Sequence, residues 1–265
     1  MATPSLEAIL IALALTLLAG MSTGVGAMMS LFAKADSKKF LAGALGFSAG
    51  VMLYVSFLDL IPLSLEDIAE VIPGKAGEIY VTLAFFGGMA VIALIDWLIP
   101  EDENPHELNR HDEGNNKHLK RTGTMLALAI GIHNFPEGMA TFVSALDGPE
   151  VALPIVIAIA IHNIPEGIAV AVPIYHATGD RKKALKWSTI SGLAEPLGAL
   201  VGMLFLLPFW SPTVNSLLIA AVAGVMVYIS VDELLPGAEN YGHHHIAIGC
   251  VILGMALMAL SILMF

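Results

Sequence analysis

Two short strings, HNFPEG at 133–138 and HNIPEG at 162–167, carry imidazole, amide and carboxylate groups at helical spacing. On a helix, His133, Asn134 and Glu137 project from one face, and His162, Asn163 and Glu166 repeat the arrangement. Glu195 supplies a third carboxylate from another apolar stretch. Imidazole combined with carboxylate oxygen suits zinc, iron, manganese or cobalt. Calcium and magnesium favour cages made of oxygen alone. The candidate metal ligands are therefore His133, Asn134, Glu137, His162, Asn163, Glu166 and Glu195. No catalytic residue and no resident cofactor is expected.

The elements that must position these groups are transmembrane helices. Hydrophobic residues make up 57% of the chain and charged residues 13%, and mean hydropathy is +0.79. A soluble domain of 265 residues needs more charge than this to cover its surface. Apolar blocks of about 20 residues, the length that crosses a bilayer, follow one another almost end to end. They predict eight spans, near 6–31, 40–62, 79–100, 122–145, 151–176, 185–209, 213–236 and 244–265. The expected fold is an all-α integral membrane protein, one transporter domain over 1–265, with a cytoplasmic loop at about 101–121. No basic segment precedes the first block, which is expected to be a retained span and not a cleaved signal.

Eleven of the twelve Lys and Arg residues fall in three alternate loops: Lys34, Lys38 and Lys39; Arg110, Lys117, Lys120 and Arg121; Arg181, Lys182, Lys183 and Lys186. Only Lys75 falls on the other face. The positive-inside rule then puts those loops in the cytoplasm and both termini outside it. In this frame the two HN-x-PEG strings sit near the middle of spans 4 and 5, and Glu195 near the middle of span 6. Each carboxylate at that depth costs about 2.5–3.5 kcal/mol if nothing neutralises it. No Lys or Arg lies at that depth, so the balancing charge must be a metal ion or protons.

A second repeat pairs AGVMLYVSFLDLIP at 49–62 with AGVMVYISVDELLP at 223–236, identical at eight of fourteen positions. The copies in each pair run in opposite directions, the inverted-repeat pattern of secondary transporters, which bind substrate near the midplane. Pro136 and Pro165 cannot donate to the carbonyls of Ile132 and Ile161, so a kink is expected at each motif. Gly138 and Gly167 remove side-chain bulk and permit close helix approach. Asp59, Asp232 and Glu233, near span ends, read equally as metal relays or as solvated helix ends. The histidines 106, 111 and 118 fit a solvated loop, and 243–245 a metal-collecting cluster that nothing else supports. The lone Cys250, in an apolar run, supports neither a disulfide nor a thiolate site.

HNFPEGMATF, HNIPEGIAVAVPIY, SGLAEPLGAL and SVDELLP, with the span count and the inward basic loops, resemble the ZIP (Zrt/Irt-like) metal transporter family, in its bacterial branch, over the whole chain. The resemblance implies zinc uptake into the cytoplasm across the inner membrane, with tolerance for iron, manganese, cobalt or cadmium. It also implies a binuclear centre, one ion on His133, Glu137, His162 and Glu166, the other on Asn134, Glu137, Asn163, Glu166 and Glu195. Asn163 stands where many family members carry an acidic residue. Expected partners are divalent metal ions, the lipid bilayer and, as an option, a second copy of the chain in a homodimer; nucleic acid is not expected. Two alternatives stay open from the residues: an intramembrane metalloenzyme, disfavoured because no carboxylate directly follows the first His as in HExxH, and an exporter using the same site. The absence of a GxxxxGK[ST] loop disfavours ATP-driven pumping.

Overall fold

A computed structural model describes residues 5–32, 37–98, 116–146, 148–206, 209 and 211–264. These are helical, with no strand among them. In chain order the helices are α1 (Leu6–Phe32), α2 (Lys38–Val55), α3 (Ile61–Val71), α4 (Lys75–Leu98), α5 (Asn116–Leu146), α6 (Pro149–Thr178), α7 (Arg181–Gly192), α8 (Ala194–Val201), α9 (Pro212–Ile229), α10 (Leu235–Asn240) and α11 (His244–Met264). The starts follow local capping chemistry. The Ser37, Asp180 and Ser211 side chains accept backbone N–H groups at the first turns of α2, α7 and α9. Gly148 (φ 122°) opens α6 and Gly179 (φ 66°) closes it, both conformations that a Cβ would strain.

Six stretches are long and apolar enough to cross a membrane: Leu6–Leu31, Lys38–Val71, Lys75–Trp97, Ile155–Thr178, Pro212–Asn240 and His244–Leu263. The second runs past its expected end at residue 62, and the loop expected over 64–78 shrinks to a few residues around Gly74. The cause is a π turn, Ser56–Leu60, between α2 and α3. Pro62 lacks an N–H, and its ring would strike the Leu58 carbonyl of a regular helix. The wide turn, in which Ile61 N–H reaches back to the Ser56 carbonyl, accommodates the ring and lets the helix continue. The repeated segment does the same: Ser230–Leu234 is a π turn ahead of Pro236, and Leu235 N–H reaches the Ser230 carbonyl. The hydroxyls of Ser56 and Ser230 donate to Met52 O and Met226 O, each at 2.7 Å. The repeat seen in the sequence is thus a repeat in hydrogen bonding.

Glycines set which helices lie closest. Gly26 and Gly167 pack α1 against α6, Gly20 and Gly192 pack α1 against α7, and Gly138 and Gly198 pack α5 against α8, in each case onto a backbone carbonyl. Gly46, Gly50 and Gly254 join α2 to α11 in the same way, and Gly88 and Gly224 join α4 to α9. Larger side chains, among them Met52, Val222 and Met226 with Ala158 and Ala169, fill the space between α2, α6 and α9. The apolar windows of α4 and α11 are each only 17% buried, so their outer faces are the ones left for lipid. Across α3 and α9, Ser64 and Ser216 exchange hydrogen bonds, each hydroxyl donating to the other's carbonyl at 2.8 and 2.7 Å.

Candidate metal centre

α5 and α6 each continue as one helix through Pro136 and Pro165. A break lies at Leu193, between α7 and α8. Pro196, three residues on, cannot donate to the Gly192 carbonyl, which instead lies against Gly20 of α1. This break delivers Glu195, at the start of α8, into the interior.

Asn134, His162, Asn163 and Glu195 are fully buried, and Glu137 and Glu166 nearly so. His162 Nε2 lies 3.0 Å from Glu137 Oε1, joining the two HN-x-PEG motifs across α5 and α6. The Asn163 amide nitrogen donates to Glu195 Oε1, joining α6 to α8, and to the Ala19 carbonyl of α1 at 3.3 Å. The Asn134 amide nitrogen donates to the Ser191 carbonyl at 3.2 Å. Both amides are thereby oriented by backbone. Among the described residues, Asn134 Oδ1, Asn163 Oδ1 and Glu195 Oε2 are buried with no hydrogen-bond partner. Buried oxygens in that condition cost about 1–3 kcal/mol each unless something else satisfies them, and a cation is chemically suited to do so.

Six of the seven expected ligands are therefore buried in the interior, and two pairs among them, His162 with Glu137 and Asn163 with Glu195, are in direct contact. The side chain of the seventh, His133, lies outside the described residues. Among the described residues no three His, Cys, Asp or Glu side chains converge tightly enough to hold an ion. One cleft is lined by Asp59, Leu63, Thr141 and Ser144 together with Glu137 and His162. Asp59, ambiguous from sequence, thus shares a cavity with the buried pair. Thr141, whose hydroxyl donates to the Glu137 carbonyl at 2.8 Å, also lines it and was not singled out by motif.

α1 contributed no candidate either, yet Ala19 holds an amide of the centre and Thr23 O accepts the Ser188 hydroxyl at 3.2 Å. Its signal was present as a run of small residues, Ala19, Gly20, Ser22, Thr23, Gly24 and Gly26. His106 and His111 lie outside the described residues, as does the side chain of His118. His243, His244 and His245 are far from the motifs in the sequence; His244 pairs with Glu239 at 2.6 Å on an exposed surface.

The pattern of the family described as ZIP zinc transporter matches residues 99–262. The chain belongs to that family. Similar ZIP proteins bear the name zinc transporter ZupT. The one from Streptococcus mutans is 54% identical over 253 residues, covering 95% of this chain and 96% of its own. That from Chlorobium limicola is 57% identical over 258 residues, covering 96% and 97%. That from Clostridium perfringens is 51% identical over 275 residues, covering 97% and 96%. Family membership and the six apolar stretches make this a multi-pass membrane protein.

Proposed function

We propose that this chain carries zinc across the inner membrane into the cytoplasm through a centre formed by His133, Asn134, Glu137, His162, Asn163, Glu166 and Glu195. The observation that carries the proposal is the buried His162–Glu137 pair lining a cleft that Asp59 also lines. The names of the full-length relatives favour zinc as cargo. Iron, manganese, cobalt and cadmium fit the same imidazole–carboxylate set. Both α5 and the α7–α8 pair complete an eight-span bundle in this reading. Polar site residues and a basic first turn account for their lower apolar content.

The cleft is lined by residues at the C-terminal end of α5 and the N-terminal half of α6, the end away from the basic starts of α2 and α7. With those basic segments in the cytoplasm, the cleft lies on the outer side of the centre, where an ion taken up from outside would enter. The chain acts as a transporter, not an enzyme, with both termini outside the cytoplasm. Zinc-starved cells expressing the chain should accumulate radioactive zinc, and Glu137→Ala or Glu166→Ala should reduce accumulation to background. Wild-type uptake in either variant, or zinc-dependent loss of label from preloaded cells, would overturn the proposal.

A further inference from the structure

We propose that an anionic phospholipid of the inner leaflet binds at the start of α7, with its headgroup on Lys182, Lys183 and Lys186 and its acyl chains along the outer face of α7 and α8. The inference rests on the bilayer placement given above, with Glu195 near the midplane and the basic segments in the cytoplasm. Four of the six residues from Arg181 to Lys186 are cationic, in a chain whose net charge is −11. Lys182, Lys183 and Lys186 are all exposed. The carboxylate of Asp180 is already engaged. It accepts the backbone N–H groups of Lys182 and Lys183 at 2.9 and 3.2 Å and lies 3.9 Å from Lys183 Nζ. The helix terminus is thereby capped, and what remains for a ligand is the side-chain charge. Arg181 sits over the Tyr175 ring, 5.9 Å from its centroid. Among the described residues no carboxylate pairs with Lys182 or Lys186.

Helical periodicity joins these cations to an apolar track. Ala184, Ser188, Ser191 and Glu195 are buried. Two positions further on in each case, about 200° around the helix, Lys186, Ile190, Leu193 and Leu197 are exposed. Trp187, also exposed, stands one turn from Lys183 and one from Ile190. Depth fits as well. Lys186 and Lys182 precede Glu195 by nine and thirteen residues, which puts them about 14 and 20 Å from the midplane at 1.5 Å per residue. The hydrocarbon half-thickness is about 15 Å. The lysines therefore reach the phosphate level, Trp187 stays at the interface that indole favours, and the residues from Ile190 onward meet acyl chains. A soluble anion would use the lysines alone; a phospholipid uses the lysines and the track together. Each cation near the leaflet surface strengthens association with anionic headgroups about fivefold. The helix so held is the one that leads to Glu195, and its Ser188 hydroxyl already ties it to the Thr23 and Gly167 carbonyls at 3.2 Å each.

The test uses the full-length protein in phosphatidylcholine nanodiscs that carry a small share of spin-labelled phosphatidylglycerol or, in parallel, spin-labelled phosphatidylcholine. The motionally restricted fraction is read by electron paramagnetic resonance. Wild type should retain phosphatidylglycerol several-fold over phosphatidylcholine. The triple variant Lys182→Gln, Lys183→Gln, Lys186→Gln should retain the two alike. Lys38→Gln with Lys39→Gln, at the start of α2, should leave the preference in place. Unlabelled phosphatidylglycerol should also raise the unfolding midpoint of wild type by a few degrees and that of the triple variant by less.

Equal retention of the two lipids by wild type, or an undiminished preference in the triple variant, would overturn the proposal. Displacement of the labelled phosphatidylglycerol by millimolar inorganic phosphate would overturn it too, by making the patch a site for a soluble anion. Neither readout uses zinc, so an absence of zinc flux would sink the transport reading and leave the lipid site standing.

Discussion

A methyl group on Gly138 tests the packing that brings Glu195 to the centre. A Cβ built there would sit 2.6 Å from both the Cα and the carbonyl carbon of Glu195, and against the Glu195 carbonyl oxygen as well. These are backbone atoms, so no rotamer change relieves the clash. Carbon–carbon contacts settle near 3.5–4.0 Å, so α5 and α8 must part by roughly 1 Å or more. Overpacking of this kind costs about 1–3 kcal/mol. The displacement also draws Glu195 away from Asn163. Gly138→Ala should therefore lower the unfolding midpoint in detergent by several degrees and cut zinc uptake more than tenfold.

Gly87 provides the control, because a Cβ there meets nothing within 4 Å. Gly87→Ala should leave uptake unchanged and stabilise α4 by up to about 1 kcal/mol through helix propensity alone. If Gly138→Ala matches wild type in both midpoint and uptake, the close approach of α5 and α8 does not position Glu195, and the centre must be assembled by other contacts.

Other expectations follow from single contacts. Asp59→Asn should raise the KM for zinc with little change in unfolding midpoint, since Asp59 is partly exposed at the cleft and not in the packed interior; an unchanged KM would remove it from the pathway. Ser64→Ala and Ser216→Ala should each destabilise by about 1 kcal/mol. The double variant should lose less than the sum, because each hydroxyl donates to the other's carbonyl; additive losses would show that the two bonds are independent. Thr141→Val removes the hydroxyl that donates to the Glu137 carbonyl while keeping the shape, and uptake should fall several-fold without loss of folded protein on a size-exclusion profile.

Much of this was legible in residue types. The HN-x-PEG repeats put Glu137 and His162 among the candidate ligands, and the folded chain sets these two side chains 3.0 Å apart. The 49–62 and 223–236 repeat predicted matched helices, and both carry a π turn at the same register. Periodicity could not show the turns themselves. They keep the apolar run unbroken, and the proline that provokes each one reads, in sequence alone, as the end of a span.

Pro136 and Pro165 lie inside helices that continue through them, whereas Leu193, three residues ahead of Pro196, separates α7 from α8. Local sequence marks where a backbone hydrogen bond is lost. Neighbouring helices decide whether the chain bends there. The share taken by α1 was hidden for a related reason: it contributes through the Ala19 and Thr23 carbonyls, and every residue carries a carbonyl whatever its side chain.

The π turn at Ser56–Leu60 also changes which way its helix looks. Gly46 and Ser64 are eighteen positions apart, five complete turns of a regular helix, and would face in one direction on an unbroken rod. Gly46 instead lies against Ala247 of α11, whereas Ser64 pairs with Ser216 of α9. One surplus residue in the wide turn shifts the phase of everything after it by roughly 100°, about the angle between two different neighbours. A single rod thereby serves two partners on different sides, half by half. Deleting one residue within 57–60 would swing Ser64 off Ser216 and towards α11, undoing the outer clasp while leaving the composition of the span almost untouched.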